Sequence, residues 1–254
     1  MKVTFLGTGT SQGVPVIGCT CEVCTSQDNR DQRLRTSVRI ELMGKVLVID
    51  SGPDFRQQML RSNTRQLDAL IFTHEHKDHI AGLDDIRAFN YITRQPVSIY
   101  ASSQVQDALR REFAYIFADQ KYPGIPDITM HTISKETSFW VSNIEVLPIE
   151  VYHYFLPVLG FRIHNFAYIT DANRIEENEL KKLEGVEYLV LNALRREKHI
   201  SHFTLDEAIE VSRRIGAKQT YFTHLSHQMG LHKDLEQELP ESIFVAYDGL
   251  LVDM

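Results

Sequence analysis

His74-Glu75-His76-Lys77-Asp78-His79 is the stretch that decides the reading of this chain. It follows Leu67-Asp68-Ala69-Leu70-Ile71-Phe72-Thr73, whose apolar and β-branched content predicts a buried strand. After it, Ile80, Leu83, Ile86 and Phe89 recur at near-helical spacing, which predicts a helix from about Asp78. The six residues therefore stand at the carboxyl end of a strand, where open α/β sheets place ligands. While the chain is extended, His74 and His76 share one side; the turn into the helix swings Asp78 and His79 to a neighbouring position. A lone histidine beside a strand is more often a hydrogen-bonded structural residue. Three imidazoles and a carboxylate within six residues have little packing reason to coexist, whereas a pair of divalent metal ions needs such a donor set.

The 254 residues can bury one large core or two modest ones, and 43% hydrophobic with 24% charged residues is ordinary for a globular chain. No run of 18 apolar residues occurs, so no membrane span is expected. The start, Met1-Lys2-Val3-Thr4-Phe5-Leu6-Gly7, reads as a first strand rather than a secretory leader, and a cytoplasmic location is the expectation. A formal charge of −7 argues against electrostatic wrapping of long nucleic acid. Bound divalent ions would still make a local positive pocket for a small anionic substrate.

The three cysteines, Cys19, Cys21 and Cys24, lie within six residues. An odd number in such a cluster is no disulfide framework; it suggests a metal clasp lacking one ligand that a distant histidine could supply. Redox chemistry at Cys21 and Cys24 is the competing reading. The glycines of Gly7-Thr8-Gly9-Thr10-Ser11-Gln12-Gly13 match neither phosphate-loop nor dinucleotide spacing.

Further strands are expected at 3–6, 38–42, 45–50, 97–101, 144–150, 167–170, 187–191, 219–223, 243–246 and 250–252, with helices at 54–60, 103–118 and 204–215. Residues Asp119 to Asp127 read as a loop of the kind that can overhang a site. About ten strands in two groups, each with helices, predict a single α/β domain over 1–254: a four-layer αββα sandwich of two facing sheets between helix layers, with the cysteine clasp loop at about 18–25.

His153, Asp171 and His224 each follow a predicted strand, as the central motif does. If His74, His76, His153 and Asp171 hold one ion, and Asp78, His79, Asp171 and His224 the other, Asp171 bridges a pair of the kind that hydrolases use. Water between two such ions is acidified toward neutral pH, and the resulting hydroxide suits in-line attack on phosphorus. Nitrogen and oxygen donors suit Zn, Mn or Fe alike. Asp50, Asp54 and Asp248 are candidates for carboxylates that orient the imidazoles. His202, just before a helix, could give a proton to a leaving alkoxide. It and Asp78, a ligand as well, are the candidate catalytic residues; His131, His164, His199 and His232 carry no assigned role.

His74-x-His76-x-Asp78-His79 followed by His153, Asp171 and His224 resembles the metallo-β-lactamase superfamily over nearly the whole chain, and that resemblance implies the same αββα sandwich. Gly18-Cys19-x-Cys21-x-x-Cys24 resembles the phosphoribosyl 1,2-cyclic phosphate phosphodiesterases within it. By that resemblance Cys19, Cys21, Cys24 and His227, three residues after His224, hold a structural zinc, and His202 contacts the substrate phosphate. The implied activity is a dinuclear metal-dependent phosphodiesterase that opens a small cyclic phosphate, phosphoribosyl 1,2-cyclic phosphate to ribose 1,5-bisphosphate, with homodimerisation also implied. The alternatives are a tRNA 3′-processing type of endonuclease, disfavoured by acidity and the lack of a long insertion, and lactone or thioester hydrolysis on the same scaffold. Di-iron oxidoreduction lacks its expected Glu and flavin domain, and a non-catalytic zinc module would not need the full set of ligands.

Overall fold

In a computed structural model that describes every residue except Lys121, the chain forms two sheets. The first contains β1 (Lys2–Gly7), β2 (Ser37–Leu42), β3 (Lys45–Ile49), β4 (Ala69–Ile71), β5 (Val97–Ala101) and β6 (Ile128–Thr132). The second contains β7 (Phe139–Val141), β8 (Ile144–His153), β9 (Leu156–Ile163), β10 (Phe166–Ile169), β11 (Arg174–Ile175), β12 (Tyr188–Asn192), β13 (Gln219–Thr223) and β14 (Ile243–Val245). The last strand, β15 (Leu251–Asp253), returns to pair with β1, so both ends of the chain close the first sheet. The orders are β15-β1-β2-β3-β4-β5-β6 and β11-β8-β9-β10-β12-β13-β14, with β7 on β8. Strands β3 to β6 run parallel, as do β10, β12, β13 and β14, so each sheet presents carboxyl ends at one edge.

Alternation along the strands builds the layers. Leu47, Ile49, Ala69 and Ile71 of the first sheet meet Phe161, Phe166, Tyr168 and Val190 of the second in one core. The intervening Val48 and Leu70 face the other way, onto α1 (Phe55–Arg61), α2 (Lys77–Ile80), α3 (Arg87–Thr93) and α4 (Ser103–Glu112) through Phe55, Ile80, Phe89 and Leu109. Ala167, Ile169, Leu189, Leu191 and Phe222 likewise pack outward with Leu180, Leu205, Ala208 and Leu235, from α5 (Glu177–Leu180), α6 (Leu205–Ile215) and α7 (His232–Glu238). Covered on both faces, β4 and β10 are buried along their whole length. This is the expected αββα sandwich.

Several expectations need correction. The helix foreseen from Asp78 is one turn at α2, a 3-10 turn at Leu83–Ile86, then α3. Gly82 interrupts it because the chain must lie on the turn before α1: its amide donates to the Ser51 carbonyl, and a Cβ there would come within 2.2 Å of the Gly52 carbonyl oxygen. The helix expected to reach Ala118 stops at Glu112 and tightens into Ala114–Ile116. Fifteen strands form rather than about ten; β6, β7, β9 and β11 were not foreseen. In β9, Pro157 and Gly160 mask the pattern, and Gly160 is needed because a Cβ would lie 2.8 Å from the Tyr168 carbonyl. The 119–127 loop, apart from Lys121, does not overhang the histidines. It ends at Asp127, whose carbonyl accepts from Val97 at the start of β5, opposite the strand end that faces the motif.

Candidate metal centre

The motif, with His153, Asp171, His202 and His224, gathers where carboxyl ends of both sheets meet. His74 follows β4, His153 closes β8, Asp171 follows β10 and His224 follows β13. Three residues here leave the strands through left-handed backbone: Asp50 (φ 65°), Asp171 (φ 55°) and His224 (φ 57°). Each such conformation in a non-glycine residue costs about 1–3 kcal/mol and persists only where the surroundings enforce it. The turn after Asp50 is pressed onto the motif: a Cβ on Gly52 would lie 2.0 Å from the Asp78 carbonyl oxygen, so only glycine fits.

The donor atoms converge. His79 Nε2 is 3.2 Å from Asp78 Oδ2 and 3.3 Å from Asp171 Oδ2, and His224 Nδ1 is 3.3 Å from the same Asp171 oxygen. On the other side of Asp171, donors of His153, Asp171 and His202 lie within 4.8 Å of one another. The ring of His76 is 4.6 Å from that of His74 and 5.1 Å from that of His153. All seven expected residues are therefore brought together, with Asp171 between the two groups. His202 comes closer than a purely substrate-facing residue need, its Nδ1 3.9 Å from Asp171 Oδ1.

Hydrogen bonds on the far side fix which nitrogens face inward. Asp50 accepts from His79 Nδ1 at 2.7 Å and from both the amide and the hydroxyl of Thr73. With its proton committed to Asp50, the Thr73 oxygen accepts from His74 Nδ1 at 3.0 Å. His153 Nδ1 donates to the Ser201 carbonyl at 2.9 Å. Such contacts turn a basic nitrogen toward a metal. Of the three proposed orienting carboxylates only Asp50 serves. Asp54 is paired with Arg35, and Asp248 with Thr8, Leu34 and Arg61. Thr73, Ser201 and Thr10, whose hydroxyl is 3.4 Å from His224 Nε2, had no sequence signal. Among the histidines without an assigned role, His199 alone approaches, its ring 5.2 Å from His202.

The donor set fits divalent cations. His74 Nε2, His79 Nε2, His202 Nδ1 and His224 Nδ1 are buried with no hydrogen-bond partner, a costly state for imidazole nitrogens unless they have a ligand. Burial drives His74 well below 6.5 and His202 down to about 2, keeping both neutral. For His79 burial pulls the same way, but Asp78, Asp171 and Asp50 outweigh it and hold the imidazole well above 6.5. A positive charge is thus demanded among three buried carboxylates, and a metal ion can supply it in place of the proton.

The cysteine loop makes a second donor group. Sγ of Cys19, Cys21 and Cys24 lie 3.3, 3.3 and 3.5 Å from His227 Nδ1, and all three thiols are free. Tetrahedral zinc with ordinary Zn–S and Zn–N bonds places sulfur and nitrogen about 3.5 Å apart, so the arrangement suits that ion and not a disulfide. Beside it, Leu225 exchanges backbone hydrogen bonds with Thr8 and Thr10, which joins the first loop to the segment after His224.

The family model for the beta-lactamase superfamily domain matches residues 45–225. An octanoyltransferase of Porphyromonas gingivalis is 40% identical over 98% of the chain, which spans only 51% of that protein. A ribonuclease Z of Nostoc is 26% identical over 98% of the chain and 74% of its own length. Among solved structures, a diphosphatase from the PhnP family superposes with a TM-score of 0.93 at 39% identity, covering 100% of this chain and 97% of that one. Zn(2+)-bound PqqB from Methylobacterium extorquens gives 0.82 at 20% identity, with 100% of both chains covered, a likeness of fold. The fold implies divalent metals, and the chain belongs to the beta-lactamase superfamily, as a metallo-β-lactamase-fold member of its hydrolases similar along its length to a PhnP-family diphosphatase.

Proposed function

We propose that this chain is a dinuclear metal-dependent phosphodiesterase acting on a small phosphorylated substrate, a ribosyl 1,2-cyclic phosphate in the first instance. The observation that carries the reading is Asp171: its carboxylate lies between His79 and His224 on one side and His153 and His202 on the other, drawn from both sheets. His74, His76, His153 and Asp171 would hold one divalent ion, and Asp78, His79, Asp171 and His224 the other; Zn, Mn and Fe all suit these donors. Such a pair, when bound, supplies Lewis acidity toward water and toward the phosphoryl oxygens. Cys19, Cys21, Cys24 and His227 would hold a structural zinc.

The rest is the work of the side chains. Asp50 and Thr73 keep His79 and His74 in the tautomers that face the centre, and Ser201 does so for His153. Burial keeps His202 neutral in the free protein; the negative charge of a bound phosphodiester raises its proton affinity, so that it would take up a proton from solvent on binding and pass it to the leaving oxygen. A cavity of about 270 Å³ beside His74 and Glu75, lined also by Gln104, Lys135 and Glu150, has room for a sugar phosphate. Diphosphate cleavage is the second reading, favoured by the PhnP-family relative, and it demands the same attack on a phosphorus with two bridging oxygens. The octanoyl transfer named for the other relative belongs to a protein about twice as long.

The test is turnover by metal-loaded protein of ribose 1,2-cyclic phosphate, its 5-phosphate, a dinucleoside diphosphate, bis(p-nitrophenyl) phosphate and pre-tRNA side by side. Cleavage of the small cyclic esters is expected. Cleavage of pre-tRNA alone, or of none, would overturn the reading.

A further inference from the structure

The outer face of the first sheet is covered only in part beside its closing strand. Helix α1 is seven residues long and ends at Arg61, while β15 runs back along β1 on the side away from β2. Between helix and strand lies a cavity of about 310 Å³, and none of the candidate metal ligands lines it. Leu6 and Leu251 give it apolar walls, and Leu251 is 54% exposed. Lys2, Arg39 and Arg61 line it against a single carboxylate, Glu41, in a chain whose formal charge is −7. Glu41 is held by Arg39 Nη2 at 2.6 Å. Arg61 has a weaker hold: it lies 3.2 Å from Asp248, which already accepts from the Thr8 hydroxyl and the Leu34 amide at 2.8 Å each. Two further atoms on lining side chains, Arg39 Nε and Gln58 Oε1, are buried without a hydrogen-bond partner. An orphan donor and an orphan acceptor on one wall call for an occupant or a bound water.

We propose that this cavity binds a small organic anion with an apolar body, a carboxylate in the first instance, at a site separate from the metal centre. Three cations against one carboxylate leave a net positive wall. Guanidinium forks match the planar carboxylate, and Arg61, with 42% of its side chain exposed, can turn to an incoming head group while Thr8 and Leu34 still hold Asp248. The head group, with one water, also answers Arg39 Nε and Gln58 Oε1. Neutral donors that a sugar would need are spent within the wall: Ser62 Oγ donates to the Gln58 carbonyl, and Gln58 Nε2 to the Arg35 carbonyl. Charge and apolar surface are what remain, and Leu6 and Leu251 cover the body of the ligand, the usual make-up of a small-ligand pocket.

Calorimetry of metal-loaded protein with hexanoate, hexan-1-ol and inorganic phosphate tests this. Hexanoate should bind about tenfold more tightly than either of the others. It should bind equally well to Asp171→Ala, which is expected to lack the catalytic pair of ions. Arg61→Met should weaken hexanoate binding about tenfold. Leu251→Glu should weaken it too, whereas Leu251→Lys should keep or tighten it; the position is exposed, so neither change disturbs the core. Hexan-1-ol binding as tightly as hexanoate would remove the charged head group, and phosphate doing so would remove the apolar body. Loss of hexanoate binding in Asp171→Ala would put the anion on the metal ions. Each of these results overturns the proposal, as would no binding of hexanoate by the parent or an unchanged affinity in Leu251→Glu. The outcome does not depend on which ester the metal centre hydrolyses.

Discussion

Asp50 shows what the site asks of a single residue. Buried, in left-handed backbone, it accepts three hydrogen bonds and aims His79 at the other carboxylates. Asp50→Asn should weaken metal binding by about 10- to 100-fold with the fold intact, measured by titration against a competing chelator. Metal-free protein carries a pH signature of the same contacts. His79 has its folded pKa raised above 6.5, so its contribution to stability is full below 6.5 and is lost as pH rises through the raised value. Melting temperatures of metal-free protein should therefore fall on the alkaline side while those of metal-loaded protein hold; parallel curves would contradict this. His202 divides two roles: His202→Ala that retains full metal content but lowers kcat makes it a substrate-facing group, whereas loss of an ion makes it a ligand. The motif residues were legible because their spacing is dense in one stretch. Asp50, Thr73, Ser201 and Thr10 were not, because their contacts arise from turns and distant pairings that no local pattern encodes.

Among the elements, the clasp carries the clearest expectation. Cys21→Ser should lower zinc content by about one ion per chain and lower the melting temperature, since structural zinc contributes folding energy directly. Unchanged stoichiometry would remove the clasp. Helix α6 was legible from its apolar spacing, and in the structure Thr204 and Glu207 form its capping box. Thr204→Ala should cost about 1 kcal/mol in denaturant unfolding. Strand β9 was hidden because its glycine and proline answer to neighbouring strands, and the motif helix was overestimated because Gly82 serves a close approach rather than helix propensity.

At the scale of the molecule, the two-sheet plan was readable from the grouping of strands, while the pairing orders and the return of β15 to β1 were not, being long-range choices. That plan sets the site on the seam: β4 brings four candidate ligands from one sheet, and β8, β10 and β13 bring His153, Asp171 and His224 from the other. No helix among the described residues is long and apolar enough to cross a membrane. The most direct test of the seam is metal analysis of the purified protein beside Asp171→Ala and Cys21→Ser. The account predicts about three ions in the parent, loss confined to the catalytic pair in Asp171→Ala, and loss of one zinc in Cys21→Ser. Full metal content in Asp171→Ala would contradict it.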